Sequence, residues 1–226
     1  MKTVFITGAS GNLGKAVVEK FLAEGYKVIA TVSPGKTLGF ENANIETFEA
    51  DVTNEESISK VVNSVVSNNK IDAAILLVGG FAMGSIQDTD GASLKKMFSL
   101  NFETAYFTAR PIFNHMMKQS AGRIVLVGAR PALNPVDGKL TVAYALSKSL
   151  IFKLAELLNA EGAANNVVSH VIVPSIIDTP VNRVAMPTAN FSDWVKAEEI
   201  AETMFYLCSE KGSAIRDTTV KLYGHS

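Results

Sequence analysis

The sequence predicts a doubly wound α/β fold, a mostly parallel, seven-stranded sheet with helices on both faces. Three observations carry that expectation. Short apolar runs alternate along the chain with longer segments of helical period. Several of the runs, residues 73–78 above all, are continuously apolar rather than alternating, as strands covered on both faces by crossover helices are. A glycine-rich stretch also follows the first run directly and opens the first helical segment, which is where a doubly wound sheet places its nucleotide turn.

In order, the strands are expected at residues 2–6, 26–32, 45–50, 71–78, 123–127, 167–173 and 219–223. The helices between them are expected at 12–24, 55–67, 92–118, 143–161 and 197–209. Thr53, followed three residues later by Glu56, predicts a capping box at the start of the second helix. No repeat, linker or low-complexity tract divides the 226 residues, so a single domain over 1–226 is expected. The irregular piece 174–192 contains three prolines, and a loop of that length in a compact domain is more often functional than idle, so a substrate loop is expected at about 174–195.

Composition narrows the function. With 21 basic against 22 acidic residues, no global field draws the chain to nucleic acid or to an anionic membrane, which leaves a small-molecule substrate. Cys208 is the single cysteine and falls in a helical pattern, so no disulfide framework is available and a buried, reduced thiol is expected. The amino-terminal apolar run is too short for a signal peptide, and no stretch approaches the ~20 apolar residues of a membrane span. A soluble, cytoplasmic protein is the expectation.

The glycine-rich stretch reads Thr7-Gly8-Ala9-Ser10-Gly11-Asn12-Leu13-Gly14. Glycines there permit a tight turn and close backbone approach, and a helix amino end offers free N–H groups to a pyrophosphate, so a Rossmann-like dinucleotide cradle is expected. After the second strand, where an acid would select NAD(H), the chain has Ser33 and Lys36, which can bond a 2′-phosphate. NADP(H) is therefore favoured over NAD(H). Asp51, followed by Val52, is placed either against the adenine or in the neighbouring cap, and Val78-Gly79-Gly80 would let backbone approach the cofactor ribose.

Tyr144 and Lys148 lie four apart near the start of a helix, so both project from one face. An ammonium close to a phenol favours the ionised form, which makes the pair a tunable acid/base. Together with Thr7 to Gly14, Asn101 and the segment Pro174-Ser175-Ile176-Ile177-Asp178-Thr179, this pair resembles the short-chain dehydrogenase/reductase family over essentially the whole chain. The resemblance implies that Tyr144 is the general acid or base, that Lys148 binds the nicotinamide ribose and lowers the phenol pKa, and that Asn101 holds a proton-relay water. It further implies that Pro174, Ile177 and Thr179 meet the carboxamide and that the chain forms a helix-paired homodimer or a homotetramer. The apolar residues Met97, Phe98, Phe102, Tyr106 and Phe107 support such pairing, being more than one sheet face consumes.

One family feature is missing. The strand before the catalytic helix normally ends in Ser, and here Gly128-Ala129 stand in its place, with no Ser or Thr from 121 to 140. Ser147 lies three residues past Tyr144 on the same helix and Thr141 in the approach loop, but neither follows the strand as the family's Ser does. A ketone reductase would lose an oxyanion donor, a loss of about a hundredfold or more in rate. The branch similar to dihydropteridine reductase manages without that Ser, because a quinonoid ring accepts the hydride. Val78-Gly79-Gly80-Phe81-Ala82-Met83-Gly84, the Gly128 to Leu133 segment, Asp178-Thr179-Pro180-Val181-Asn182-Arg183, Met186-Pro187 and Asn190-Phe191-Ser192-Asp193-Trp194 resemble that branch. Phe81, Ala129, Met186 and Trp194 are expected to contact the substrate, the last two on a loop that closes over it. The leading expectation is an NAD(P)H-dependent reductase of a flat conjugated acceptor such as quinonoid dihydropteridine. A carbonyl reductase lacking the usual Ser and a non-catalytic NADP-sensing protein are the alternatives.

Overall fold

The computed structural model describes residues 1–225. Seven parallel strands form one sheet in the order β3-β2-β1-β4-β5-β6-β7. They are β1 (Thr3–Thr7), β2 (Lys27–Val32), β3 (Ile45–Glu49), β4 (Ala73–Leu76), β5 (Gly122–Val127), β6 (Val167–Pro174) and β7 (Thr218–Leu222). Strand order reverses between β1 and β4, so the carboxyl ends of these neighbours open a crevice at the switch point, the place where such sheets bind ligands.

Alternate residues of the central strands supply two separate cores. Phe5, Ala74, Leu76, Ile124 and Leu126 face α2 (Glu55–Val66), α4 (Thr104–Gln119) and α7 (Val142–Gly162). Val4, Ile6, Ala73, Ile75 and Val125 face α1 (Asn12–Ala23) and α9 (Ala197–Cys208). Both faces being buried explains the continuous apolar runs. Cys208 is buried as a small hydrophobe within the second core. Among the described residues no helix is long and apolar enough to cross a membrane.

Four local expectations need correction. The second helix is capped by Asn54, whose side chain accepts the Ser57 N–H at 3.0 Å, while Thr53 turns its hydroxyl to Asp51 at 2.6 Å. Asn is as good an N-cap as Ser or Thr, and the sequence there offered both in succession. The segment 92–118 is not one regular helix: α3 (Gly91–Phe98) passes into a π-helical turn, Ser99–Glu103, before α4 begins. The irregular piece after β6 contains the short α8 (Pro180–Ala185), capped by Thr179, and a 3-10 turn, Phe191–Asp193. Two single-turn helices, α5 (Arg130–Leu133) and α6 (Pro135–Gly138), each with proline at its start, join β5 to α7, and four-residue pieces are too short for a periodicity to show.

Candidate active site

The crevice is lined by glycines that have reasons to be glycine. Gly8, directly after β1, sits at φ +67°, a left-handed conformation that costs an L side chain energy. A Cβ on Gly14 would lie 2.2 Å from the Gly8 carbonyl oxygen, so only glycine lets α1 start this close to the turn. Gly11 is the N-cap of α1 and contributes no side-chain bond, and the first turn carries no acid. The helix amino end around Asn12, Leu13 and Gly14 thus keeps N–H groups free beside a backbone cradle that includes Ser10, which fits a pyrophosphate. Val78 touches this turn from the end of β4: its Cγ2 is 3.1 Å from where a Gly8 Cβ would stand.

On the β2–β3 side of the crevice, Ser33 and Lys36 are exposed on the turn after β2, closed by a 2.9 Å bond from the Lys36 N–H to the Ser33 carbonyl. An acid does reach this corner, from the next strand. Glu49 ends β3 opposite Val32, and its carboxylate accepts the Gly35 N–H at 3.3 Å. The sequence reading missed it because strand pairing, not chain proximity, brings Glu49 there. Asp51 is engaged locally, accepting from the Thr53 N–H and hydroxyl, and Val52 is buried beside it.

Four sequence-selected elements converge beyond β4. The π-turn adds a residue to the helix and turns Asn101 inward, a device that recurs at functional sites. Asn101 is 1% exposed. Its Oδ1 accepts the Gly80 N–H at 2.9 Å, and its Nδ2 donates to the Gly80 carbonyl and to Ser147 Oγ, both at 3.0 Å. A Cβ on Gly79 would come within 2.6 Å of Asn101 Oδ1 and 3.2 Å of Lys148 Nζ, so a glycine suits the place where the β4 loop meets α7. Lys148 is buried and donates from Nζ to the Val127 carbonyl at 2.8 Å. Tyr144, one turn earlier on α7, meets the Phe81 ring edge-on with centroids 5.1 Å apart.

The electrostatics differ from the sequence expectation in one respect. Burial pushes the Tyr144 phenol up to about 12 and pulls the Lys148 ammonium down to about 8. Desolvation is the cause for each group, and one N–H of the ammonium donates to the Val127 carbonyl. Tyr144 is accordingly a proton-bearing acid at neutral pH.

The missing hydroxyl is a packing fact as well as a sequence fact. A Cβ on Gly128 would stand 2.7 Å from the Phe152 ring and 2.9 Å from Val171, and Ala129 is itself buried. The nearby hydroxyls are engaged elsewhere: Ser147 donates to the Tyr144 carbonyl at 2.8 Å and Thr141 to the Gly138 carbonyl at 3.4 Å. Neither stands in for the Ser.

Beyond β6, Pro174 is the last strand residue and Thr179 accepts the Asn182 N–H at 3.2 Å, leaving its hydroxyl proton to donate. Ile177 bridges to Val195, and the Asp178 N–H bonds the Val195 carbonyl at 2.8 Å, so the irregular segment after β6 is pinned at its base. Met186 is half-buried just after α8. Trp194, expected on the moving part of that loop, is instead 6% exposed at the pinned base with its ring 4.8 Å from Phe191. Its position beside the bridge at Val195 explains why it packs inward.

The comparisons with known proteins agree with this geometry. The model of the short chain dehydrogenase family matches residues 2–190, and the chain belongs to that family. It is a class of oxidoreductases, and relatives in this comparison are named as reductases and dehydrogenases. The chain is similar to an acetoacetyl-CoA reductase of Acinetobacter sp., 26% identical over 99% of this chain and 96% of the relative. It is also similar to a dihydropteridine reductase of Dictyostelium discoideum, 30% identical over 90% of this chain and 86% of the relative. In fold it resembles the solved structure described as ElxO with NADP bound, at TM-score 0.90 and 23% identity, covering 99% of this chain and 97% of that one.

Proposed function

We propose that the chain is an NAD(P)H-dependent reductase of a flat, conjugated acceptor such as a quinonoid dihydropteridine, with Tyr144 as its proton donor. The observation that carries this reading is the solitary acid: Tyr144 stands against the Phe81 ring, and the space of the family's second donor is filled by Phe152 packing on Gly128. A simple ketone needs two donors as its oxygen takes on charge, whereas a conjugated ring spreads that charge over itself. The name of the Dictyostelium relative supports the same acceptor class.

The residues fit a dinucleotide. Gly8, Ser10, Gly11, Asn12, Leu13 and Gly14 would hold its pyrophosphate, and Ser33, Lys36, Asp51 and Val52 its adenosine half. Val78, Gly79, Gly80 and Lys148 would hold the nicotinamide ribose, and Pro174, Ile177 and Thr179 the carboxamide. A reduced nicotinamide supplies a hydride when bound. Tyr144 adds the proton, so the acceptor gains two electrons and two hydrogens in all. Asn101 fastens the Gly80 backbone to α7 and so fixes the wall against which the ring lies. NADP(H) is the favoured form on Ser33 and Lys36, with NAD(H) the alternative that Glu49 supports.

We also propose a homodimer paired through α4 and α7, where Tyr106, Leu146 and Leu157 are exposed, with a homotetramer as the larger assembly. Of the side chains expected to drive this, Met97 faces inward and is 2% exposed, so it belongs to the core and not to the interface. A panel of quinonoid dihydropterin against simple ketones, each with NADPH and NADH, tests the reaction. The expected result is turnover of the pterin at least a hundredfold above the ketones, and activity confined to ketones would overturn it.

A further inference from the structure

Most of the large apolar side chains that the structure leaves exposed lie on the three segments that leave the carboxyl ends of β4, β5 and β6. After β4 come Phe81 and Met83, after β5 come Leu133 and Leu140, and after β6 come Val181 and Val184 on α8. Two of the segments are stitched together: the Gly84 N–H bonds the Leu140 carbonyl at 2.7 Å, and the Val142 N–H bonds the Gly84 carbonyl at 2.9 Å. That stitch lies two residues before Tyr144, and Phe81 touches the Tyr144 ring. On α8, Val181 and Val184 are three residues apart, hence on one helix face, and are 69% and 82% exposed.

The charges on the same segments are satisfied internally. Arg130 donates from Nε to Asp137 at 2.8 Å and lies over the Tyr223 ring. Arg183 holds both oxygens of Asp178, at 2.6 and 2.7 Å, and lies over the Phe191 ring. Asp88 accepts from Ser85, and Asp90 caps α3. Lys139 and Lys196 remain exposed, with no ion pair among the described residues. Two lysines on different segments are a poor match for a polyphosphate or a carrier protein's acidic face, both of which call for clustered cations.

We propose that the collar around Tyr144 seats an apolar flank of the substrate, so that the acceptor is an uncharged conjugated ring bearing an alkyl or aryl substituent. A molecule seated against Tyr144 meets Phe81 directly, and the stitch at Gly84 carries its apolar flank on to the segment after β5 without disturbing either arginine pair. This rests on Tyr144 being the proton donor to a flat acceptor, and it goes further by naming what the acceptor carries. In the reaction the ring takes the hydride of a reduced nicotinamide and the Tyr144 proton, and the substituent is unchanged.

The test separates binding from turnover. Calorimetric titration of the Tyr144→Phe protein, saturated with NADP+, uses 1,4-naphthoquinones carrying methyl, butyl and octyl chains. A fully buried methylene is worth about fourfold in affinity, so tightening of at least tenfold from methyl to octyl is expected on a partly open collar. The Val181→Asn, Val184→Asn double variant, altered only at exposed positions, is expected to flatten the series while keeping the methyl affinity. Affinity independent of chain length, or a series unchanged in the double variant, overturns the proposal. NADPH oxidation by wild-type protein reads the reaction separately: oxidation without chain-length dependence removes the collar and keeps the reaction, and chain-length-dependent binding without oxidation of any quinone or pterin does the reverse.

Discussion

At the scale of single residues, the site rests on a buried lysine and a half-buried tyrosine that desolvation drives in opposite directions. Lys148, with its pKa pulled down to about 8, carries its charge below that pH and loses it above. Since kcat/KM reports the free enzyme, it is expected to fall about tenfold per pH unit above pH 8, and a flat profile to pH 10 would show that the ammonium is not needed. The shared face of Tyr144 and Lys148 was legible in the sequence from their four-residue spacing on one helix, whereas Asn101 was singled out by family resemblance, and the π-turn that buries it has no signal in the apolar period. Glu49 was not, because only the pairing of β3 with β2 brings its carboxylate to the turn at Gly35. Trp194 misled in the other direction: an aromatic in an irregular segment says nothing about whether it faces ligand or core, and here the Ile177–Val195 bridge turns it inward.

At the scale of elements, what distinguishes this site is the packing of α7 on the end of β5. Phe152 fills the space a side chain at 128 would need, so a hydroxyl at that position requires repacking of α7. The variant Gly128→Ser is expected to lose about 1–3 kcal/mol from overpacking, read as an earlier urea midpoint, without a gain in ketone turnover. A stable variant that reduces ketones would show that the space is there. The π-turn in the long helix could not be read from sequence, since one inserted residue leaves the apolar period on either side intact. The cap of α2 shows a similar limit: Thr53 and Asn54 both have capping side chains, and only the backbone decides between them.

At the scale of the whole molecule, the sheet was legible from its apolar runs and the crevice from its glycines, because the same burial that builds both cores leaves no polar alternation in the central strands. A price for that burial sits in β6. His170 is fully buried with neither ring nitrogen bonded, and burial, then Arg123 and Arg216 against the opposing pull of Asp217, holds it down at about 4. The unfolded chain takes up this proton near pH 6.5 and the folded chain does not, so stability is full above 6.5 and declines as pH falls toward 4. Between pH 7 and 5 the loss is expected to be about 2 kcal/mol in urea unfolding, and His170→Leu is expected to lessen it. The most direct measurement is stopped-flow reduction of quinonoid dihydropterin by NADPH in wild type and Tyr144→Phe, with nucleotide affinity measured in parallel. The hydride step is expected to slow by on the order of a hundredfold while nucleotide affinity stays unchanged. Equal rates in the two proteins would contradict it.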